Sequence, residues 1–444
     1  MTAENTKTEA AEEVAGVVIP WLKAGDRPTQ SRIVETEGLV AALGCRLAFV
    51  RDEHVRRPSP SHLLSGGLLD RLADDLTASG CTLLIVDGAL TPIQQRNLEK
   101  RLSVKVVDRT GLILEIFGLR ARTKEGVLQV ELARLLYERS RLVRTWTHLE
   151  RQRGGRGFLS GPGETQLEAD RRMLETRVKR LRRDLEDVRR TRRLQRDGRR
   201  RGGVRVIALV GYTNAGKSTL FNALSGADVF AKDMPFATLD ATIRRVDLPG
   251  VGEAALIDTV GFITDLPTHL IDAFQATLEE AMEADLLVHV RDRASADDAA
   301  QRAQVLAVLD RLEADARASA PPIVEAWNKI DAVDSATRTL LEATASQSET
   351  PAVLVSALTG EGIDALKTLI ADTLARRAVL IEARIGPQDG AARSWLFSET
   401  DVAAERTIEA TGEIVVSAKL TEDALGRFEA RFPEVGIETP TAER

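Results

Sequence analysis

Cysteine is nearly absent from this chain of 444 residues: Cys45 and Cys81 are the only two, far apart and each in apolar surroundings. That excludes a disulfide framework or a cysteine zinc site, and both read as reduced, buried thiols of a cytoplasmic protein. Histidine is also scarce, and His54, His62, His148, His269 and His289 show no metal-ligand spacing. No window approaches the ~18 uninterrupted apolar residues of a membrane-spanning helix. The opening MTAENTKTEAAEE lacks the basic-then-apolar order of an export signal. What remains is ordinary in bulk, 43% hydrophobic and 29% charged. At ~100–200 residues per domain the length calls for several units with separate cores.

The net charge of −6 argues against nucleic-acid binding, but the average hides an asymmetry. Residues Arg171–Arg201 hold 15 Lys/Arg against 5 Asp/Glu, a local +10 that leaves −16 for the rest of the chain. Such a run is often only a solvated face. Here, however, Arg outnumbers Lys 14 to 1, and guanidinium forks match phosphate geometry. Arg182, Arg183, Arg189, Arg190, Arg192 and Arg193 are therefore the candidate RNA contacts, to backbone or shape rather than to base sequence.

Organisation follows from composition and period. Residues 1–33, polar and carrying Pro20 and Pro28, read as a disordered lead-in. Residues 34–123 alternate short apolar runs (RLAFV, CTLLIVDG, VKVVD) with helical segments, including one opening at Thr91-Pro92, as in a small parallel α/β layer. Over 124–201, Leu128, Leu132, Leu135, Leu142, Trp146 and Leu149 follow a heptad rhythm. Leu167, Leu174, Val178, Leu181, Leu185 and Val188 repeat it, with a glycine-rich link over 154–163 between the two runs. This predicts an antiparallel helical hairpin with a flexible tip. Residues 202–378 form a second α/β unit, and 379–444 a small α/β appendage without a readable motif.

The chemistry lies in the second unit. Gly211-Tyr212-Thr213-Asn214-Ala215-Gly216-Lys217-Ser218 follows the strand VRVIALV and opens a helix, as a phosphate-binding loop requires. Its amides would cradle phosphates, Lys217 would reach the β- and γ-phosphates, and Ser218 would ligate Mg²⁺. Asp258-Thr259-Val260-Gly261 ends the strand EAALI. Asp258 suits the metal, and the Gly261 amide suits the γ-phosphate. Phe236-Ala237-Thr238-Leu239-Asp240 supplies a further Mg²⁺ ligand, with Thr238 and Thr242 as rivals that spacing alone does not separate. Asn328-Lys329-Ile330-Asp331 ends another strand. Its carboxylate can accept from two guanine donors that adenine lacks. Ser356-Ala357-Leu358 suits a backbone contact to the guanine oxygen. The order of these segments predicts a GTPase that binds GTP and GDP, with Lys217, Thr238 and Gly261 as catalytic candidates. The position after Gly261 holds Phe262, where many GTPases place a water-orienting Gln, so slow intrinsic turnover is expected until a partner completes the site. Asn214 suggests a K⁺ ion as well, although loop amides alone could account for it.

At these residues the sequence resembles the HflX family of bacterial GTPases over nearly its whole length. The resemblance rests on Gly161-Pro-Gly-Glu-Thr-Gln-Leu-Glu168 with Asp170-Arg171-Arg172, on Asp258–Pro267, on the phosphate loop and on Thr91–Glu99. It implies an α/β fold: a P-loop GTPase domain, an N-terminal α/β subdomain, a long antiparallel helical hairpin and a small α/β C-terminal domain. It further implies binding of the large ribosomal subunit and its RNA, splitting or rescue of stalled ribosomes, and Thr238 as the Mg²⁺ ligand. In that picture the 154–163 tip points toward the peptidyl transferase centre. The chain departs from the family at Ala241, usually Pro. A monomer without a membrane span is expected. A protein-binding regulatory switch and a ribosome-assembly GTPase share the motifs and stay open.

Overall fold

The computed structural model describes residues 13–23, 27–152, 162–201, 204–226, 236, 242–263, 281–315, 321–376, 378–408 and 411–438. The first sheet is parallel, with β1 (Val14–Trp21), β2 (Arg46–His54), β3 (Leu83–Val86) and β4 (Lys105–Asp108) in the order β2-β1-β3-β4. β1 corrects the reading of residues 1–33 as a disordered lead-in. Ala15, Val17, Val18 and Ile19 are buried, because a strand paired on both edges and covered on both faces is apolar without alternation. The flanking polarity and Pro20 concealed it; Pro20 sits near the strand's end, where a missing N–H costs little.

Four helices cover this sheet: α1 (Gln30–Leu43), α2 (Gly66–Ala78), α3 (Pro92–Leu102) and α4 (Arg109–Arg120). α3 starts as its sequence predicts, with Thr91 and Gln94 forming a reciprocal capping box and Pro92 in the first turn. α4 was not anticipated. Asp108 caps it by accepting from the Gly111 amide at 2.8 Å, and it sends Leu112, Ile113, Ile116 and Phe117 into the core.

The hairpin consists of α5 (Lys124–Gln152) and α6 (Pro162–Arg201). Its described seam joins Leu132, Leu135 and Leu136 to Val178, Leu181 and Leu185, with Leu128 and Leu174 partly buried beside them. The seam side chains of Leu142, Trp146, Leu149 and Leu167 lie outside the described residues, as does the tip over 153–161. The root is tied to the first sheet through Asp108. Its carboxylate accepts from Tyr137 Oη at 2.8 Å and from Arg141 Nη1 at 3.5 Å, and Arg141 also donates to the Leu90 carbonyl at 3.4 Å.

The second sheet contains β5 (Arg205–Gly211), β6 (Thr242–Leu248), β7 (Gly252–Asp258), β8 (Leu286–Asp292), β9 (Ile323–Asn328) and β10 (Ala352–Leu354). Its order is β10-β9-β8-β5-β7-β6, parallel except for the edge strand β6. β6 was missed, since TIRRVDL is mostly exposed and offers no apolar run. Helices α7 (Lys217–Ser225), α8 (Asp298–Asp315), α9 (Ser335–Ser346) and α10 (Ile363–Arg376) accompany this sheet. The tail is the small α/β unit expected from its sequence. β11 (Ala378–Ile385), α11 (Gly390–Glu399), β12 (Asp401–Thr407), β13 (Ile414–Thr421), α12 (Glu422–Arg431) and β14 (Gly436–Glu438) form an antiparallel sheet ordered β12-β13-β11-β14. This is a ferredoxin-like β-α-β-β-α-β unit around Ile381, Leu396, Val416 and Phe428. Among the described residues no helix is long and apolar enough to cross a membrane.

Candidate nucleotide-binding site

The site forms at the carboxyl ends of β5, β7, β8 and β9, where an open α/β sheet presents loops and helix N-termini to a ligand. The loop after β5 needs glycine twice. Gly211 has φ +151°, and a Cβ there would stand 2.4 Å from the Val290 carbonyl oxygen. Gly216 has φ +90°, and its Cβ would meet Asn328 Nδ2 at 2.2 Å. Asn214 takes a left-handed conformation at φ 60° and is exposed.

Lys217 is 6% exposed, and its Nζ donates to the carbonyls of Gly211 at 3.0 Å and Tyr212 at 2.7 Å. Burial, only partly offset by Asp258, pushes its pKa down to about 8. A phosphate anion beside the ammonium restores the charged form, so nucleotide binding near pH 8 should take up protons, about half a proton per nucleotide. Calorimetric titration with GDP in buffers of different ionisation heat measures this. Affinity should fall as pH rises through 8, and zero uptake would contradict a lysine poised at that value.

Ser218 Oγ donates to Asp258 Oδ2 at 2.8 Å, bringing a hydroxyl from the first turn of α7 to a buried carboxylate at the end of β7. Such hard oxygen donors fit Mg²⁺. Gly261 stands over the lysine: a Cβ there would lie 2.8 Å from Thr213 Cγ2 and 3.0 Å from Lys217 Nζ. The main chain of Phe262 pairs with the loop, its amide donating to the Gly211 carbonyl at 3.1 Å and its carbonyl accepting from Thr213 N at 2.6 Å. Thr259 is fully buried and bonded to the Leu209 carbonyl at 2.6 Å, so its side chain fixes β7 against β5.

At the base-recognition end, Asn328 ties loops together. Its Nδ2 donates to the Ala215 carbonyl at 2.8 Å, and its Oδ1 accepts from the Ala357 amide at 2.9 Å. The Ala357 amide, expected to meet the guanine oxygen, is thus engaged by Asn328 here. Lys329, in a left-handed conformation, donates to Asp292 at 2.8 Å, while Ile330 is buried. Asp331 is exposed, and Ser356 Oγ donates to its Oδ1 at 2.5 Å. That orienting role of the serine hydroxyl was not foreseen. Leu358 is exposed. Sequence reasoning also missed the support below: Trp327 Nε1 and Arg291 Nη1 donate to Glu325 at 2.7 and 2.6 Å, and Arg293 lies 4.4 Å over the Trp327 ring. These residues are scattered in sequence and carry no motif.

Ala237, Thr238, Leu239 and Asp240 lie outside the described residues. Phe236 is described, and the expectation that it meets the nucleotide with the rest of the 236–240 segment is corrected. It is buried at φ 56°, edge-on to Phe117 of α4 with centroids 4.6 Å apart. Val260 and Ile263 join the same N-terminal core. Segments on both sides of the phosphate site therefore pack into the first domain. On the hairpin, Arg182, Arg183 and Arg190 are exposed, and the side chains of Arg189, Arg192 and Arg193 lie outside the described residues. Among the described residues no group of three metal-ligating side chains occurs.

A strand, glycine loop and Lys-Ser helix start, facing a carboxylate and an Asn-Lys-Ile-Asp turn on one α/β sheet, define a P-loop GTPase that hydrolyses GTP. Family models agree along the chain: a GTP-binding GTPase N-terminal region over 30–118, a GTP-binding GTPase middle region over 120–199, a 50S ribosome-binding GTPase over 206–329 and an HflX C-terminal domain over 340–439. GTPase HflX of Magnetococcus marinus is 45% identical over 384 residues, covering 86% of this chain and 87% of the relative. GTPase HflX of Escherichia coli is 43% identical over 363 residues, covering 82% and 84%. A solved GTP-binding protein from Sulfolobus solfataricus in complex with GDP covers 82% of this chain and 99% of its own, at 23% identity and a TM-score of 0.45. The chain belongs to the HflX family of GTPases.

Proposed function

We propose that this protein is a Mg²⁺-dependent GTP hydrolase that binds the large ribosomal subunit and splits or rescues stalled ribosomes. The observation that carries the reading is the joint between site and hairpin. Phe236, Val260 and Ile263, from the two segments flanking the phosphate site, lie in one core with Phe117 of α4, and α5 is tied to that domain through Asp108. A change at the γ-phosphate can then reach the basic helix α6 through packed side chains, as in nucleotide switches.

In this reading Lys217 and the loop amides hold the phosphates, and Ser218, Asp258 and Thr238 would hold Mg²⁺, which when bound would supply charge neutralisation to the phosphates. The Gly261 amide senses the γ-phosphate, and Asp331 reads guanine with Asn328 and Ser356 bracing the loops. Phe262 offers no side chain to orient water, so intrinsic turnover is slow. Asn214 is the candidate K⁺ ligand. Arg182, Arg183, Arg189, Arg190, Arg192 and Arg193 meet ribosomal RNA.

The test is GTP hydrolysis in K⁺ buffer with and without isolated large subunits. Stimulation of about tenfold or more is expected, lost when residues 154–163 are deleted. Subunit affinity should fall steeply with salt, since phosphate contacts release counterions. Equal rates with and without subunits, or binding indifferent to salt, would favour a protein-binding switch instead.

A further inference from the structure

Tyr212 stands second in the phosphate loop and is 5% exposed, and its hydroxyl reaches out of the GTPase domain. It donates to Glu35 Oε2 on α1 of the first domain. The other Glu35 oxygen accepts from Arg109 Nη2 at the start of α4. Arg109 Nη1 donates to Asp87 Oδ1 at 2.6 Å, and Asp87 also accepts from Arg32 Nε at 2.8 Å and Thr36 Oγ1 at 2.9 Å. Two carboxylates and two guanidiniums thus balance in a cluster that is largely out of water. Burial works against the Asp87 carboxylate, but Arg109 and Arg32 outweigh it and hold its pKa below the usual range.

The phosphate loop is moored to this cluster at a sensitive point. The Tyr212 carbonyl is one of the two that fix Lys217 Nζ, and the main chain of Tyr212 bridges that of Phe262, next to Gly261. Rotation of this one residue would shift the lysine and the γ-phosphate-sensing segment together. We infer that Glu35 is a positioning residue for the nucleotide. Acting through the Tyr212 hydroxyl, it holds the first turn of the phosphate loop in its binding geometry and slows release of the guanine nucleotide. The inference rests on the phosphate-loop reading given above. A hydrogen bond to a buried carboxylate is among the stronger ones, and its loss falls on the bound state if the loop must keep this geometry to hold phosphate.

The experiment is the release rate of a fluorescent GDP analogue from the full-length chain, comparing wild type, Tyr212→Phe, Glu35→Gln and the double variant. Tyr212→Phe keeps the ring and its packing, so its fold should persist. Release should be roughly tenfold faster in Tyr212→Phe, less so in Glu35→Gln, whose amide oxygen is a weaker neutral acceptor, and no faster in the double variant than in Tyr212→Phe, because both changes act on the same bond. If Glu35→Gln fails to fold because Arg109 loses a charged partner, Tyr212→Phe against wild type decides alone. Unchanged release in Tyr212→Phe, or effects that multiply in the double variant, overturns the inference. Wild-type protein that binds no GDP overturns the phosphate-loop reading and this inference with it.

Discussion

Lys217→Ala should lower GTP turnover by about 10³-fold and remove measurable GDP binding, with residual activity at the blank. The ammonium sits in the loop, fixed by two carbonyl oxygens at 3.0 and 2.7 Å, already aimed where phosphate must sit. Little reorganisation is then needed when nucleotide arrives, which is why a preorganised cation contributes more here than in water. The variant also strips a donor from two buried carbonyls, at ~1–3 kcal/mol each if nothing replaces it. Against that, the desolvation holding the Lys217 pKa near 8 disappears with the charge. The fold should therefore survive, and circular dichroism beside the assay separates lost chemistry from lost structure. Turnover within threefold of wild type in a folded variant would overturn the phosphate-loop assignment.

Legibility in the sequence divided along a physical line. The phosphate loop, Asp258 and Asn328–Asp331 were readable because chemistry fixes residue type and spacing together. α3 was readable because its cap uses side-chain bonds local to Thr91 and Gln94. β1 was not, because a strand buried on both faces shows neither alternation nor helical period, and polar neighbours outweighed six apolar-compatible residues. β6 failed for the opposite reason, being exposed and antiparallel at an edge. Phe236 shows a deeper limit. Its neighbours in sequence suggest nucleotide contact, while its burial against Phe117 depends on a residue 119 positions earlier, which no local pattern encodes. The Tyr212 hydroxyl is similar: Glu35 lies 177 residues away. Motifs announce what touches the ligand; the contacts joining one domain to another appear only once the chain is folded.

Those interdomain contacts give direction to the proposed switch. Apolar burial is non-directional, so the Phe236, Val260 and Ile263 contacts can slide or separate without leaving a buried charge behind. The Asp108 tie to Tyr137 and Arg141 is different. It joins charged and polar groups deep in the first domain, where breaking one partner leaves others unsatisfied. The joint between GTPase domain and first domain thus combines sliding apolar contacts with a polar tie, Tyr212 to Glu35, while the hairpin root is held by the Asp108 tie. Motion at the nucleotide would carry the first domain and its hairpin root as a unit.

Asp331→Asn should weaken GTP binding by about 10²-fold and raise xanthosine triphosphate above it. Guanine turns a ring N–H and an amine toward the carboxylate, whereas xanthine presents a carbonyl oxygen in place of the amine. An amide nitrogen at this position repels the first base and donates to the second. The structure favours a clean exchange. Ser356 is buried, and its hydroxyl donates to Asp331 Oδ1 at 2.5 Å, a bond the Asn oxygen can keep accepting. The amide nitrogen is then left on the side the other carboxylate oxygen held. Asp331 itself is exposed, so the substitution should change stability by no more than ~0.5 kcal/mol. Competition of both triphosphates against a fluorescent guanine nucleotide measures the outcome directly. GTP affinity left unchanged would mean that the Asn328–Asp331 turn does not read the base. Weakened GTP without any gain for the xanthine nucleotide would mean that the carboxylate is read by its charge alone and not by its pattern of acceptors.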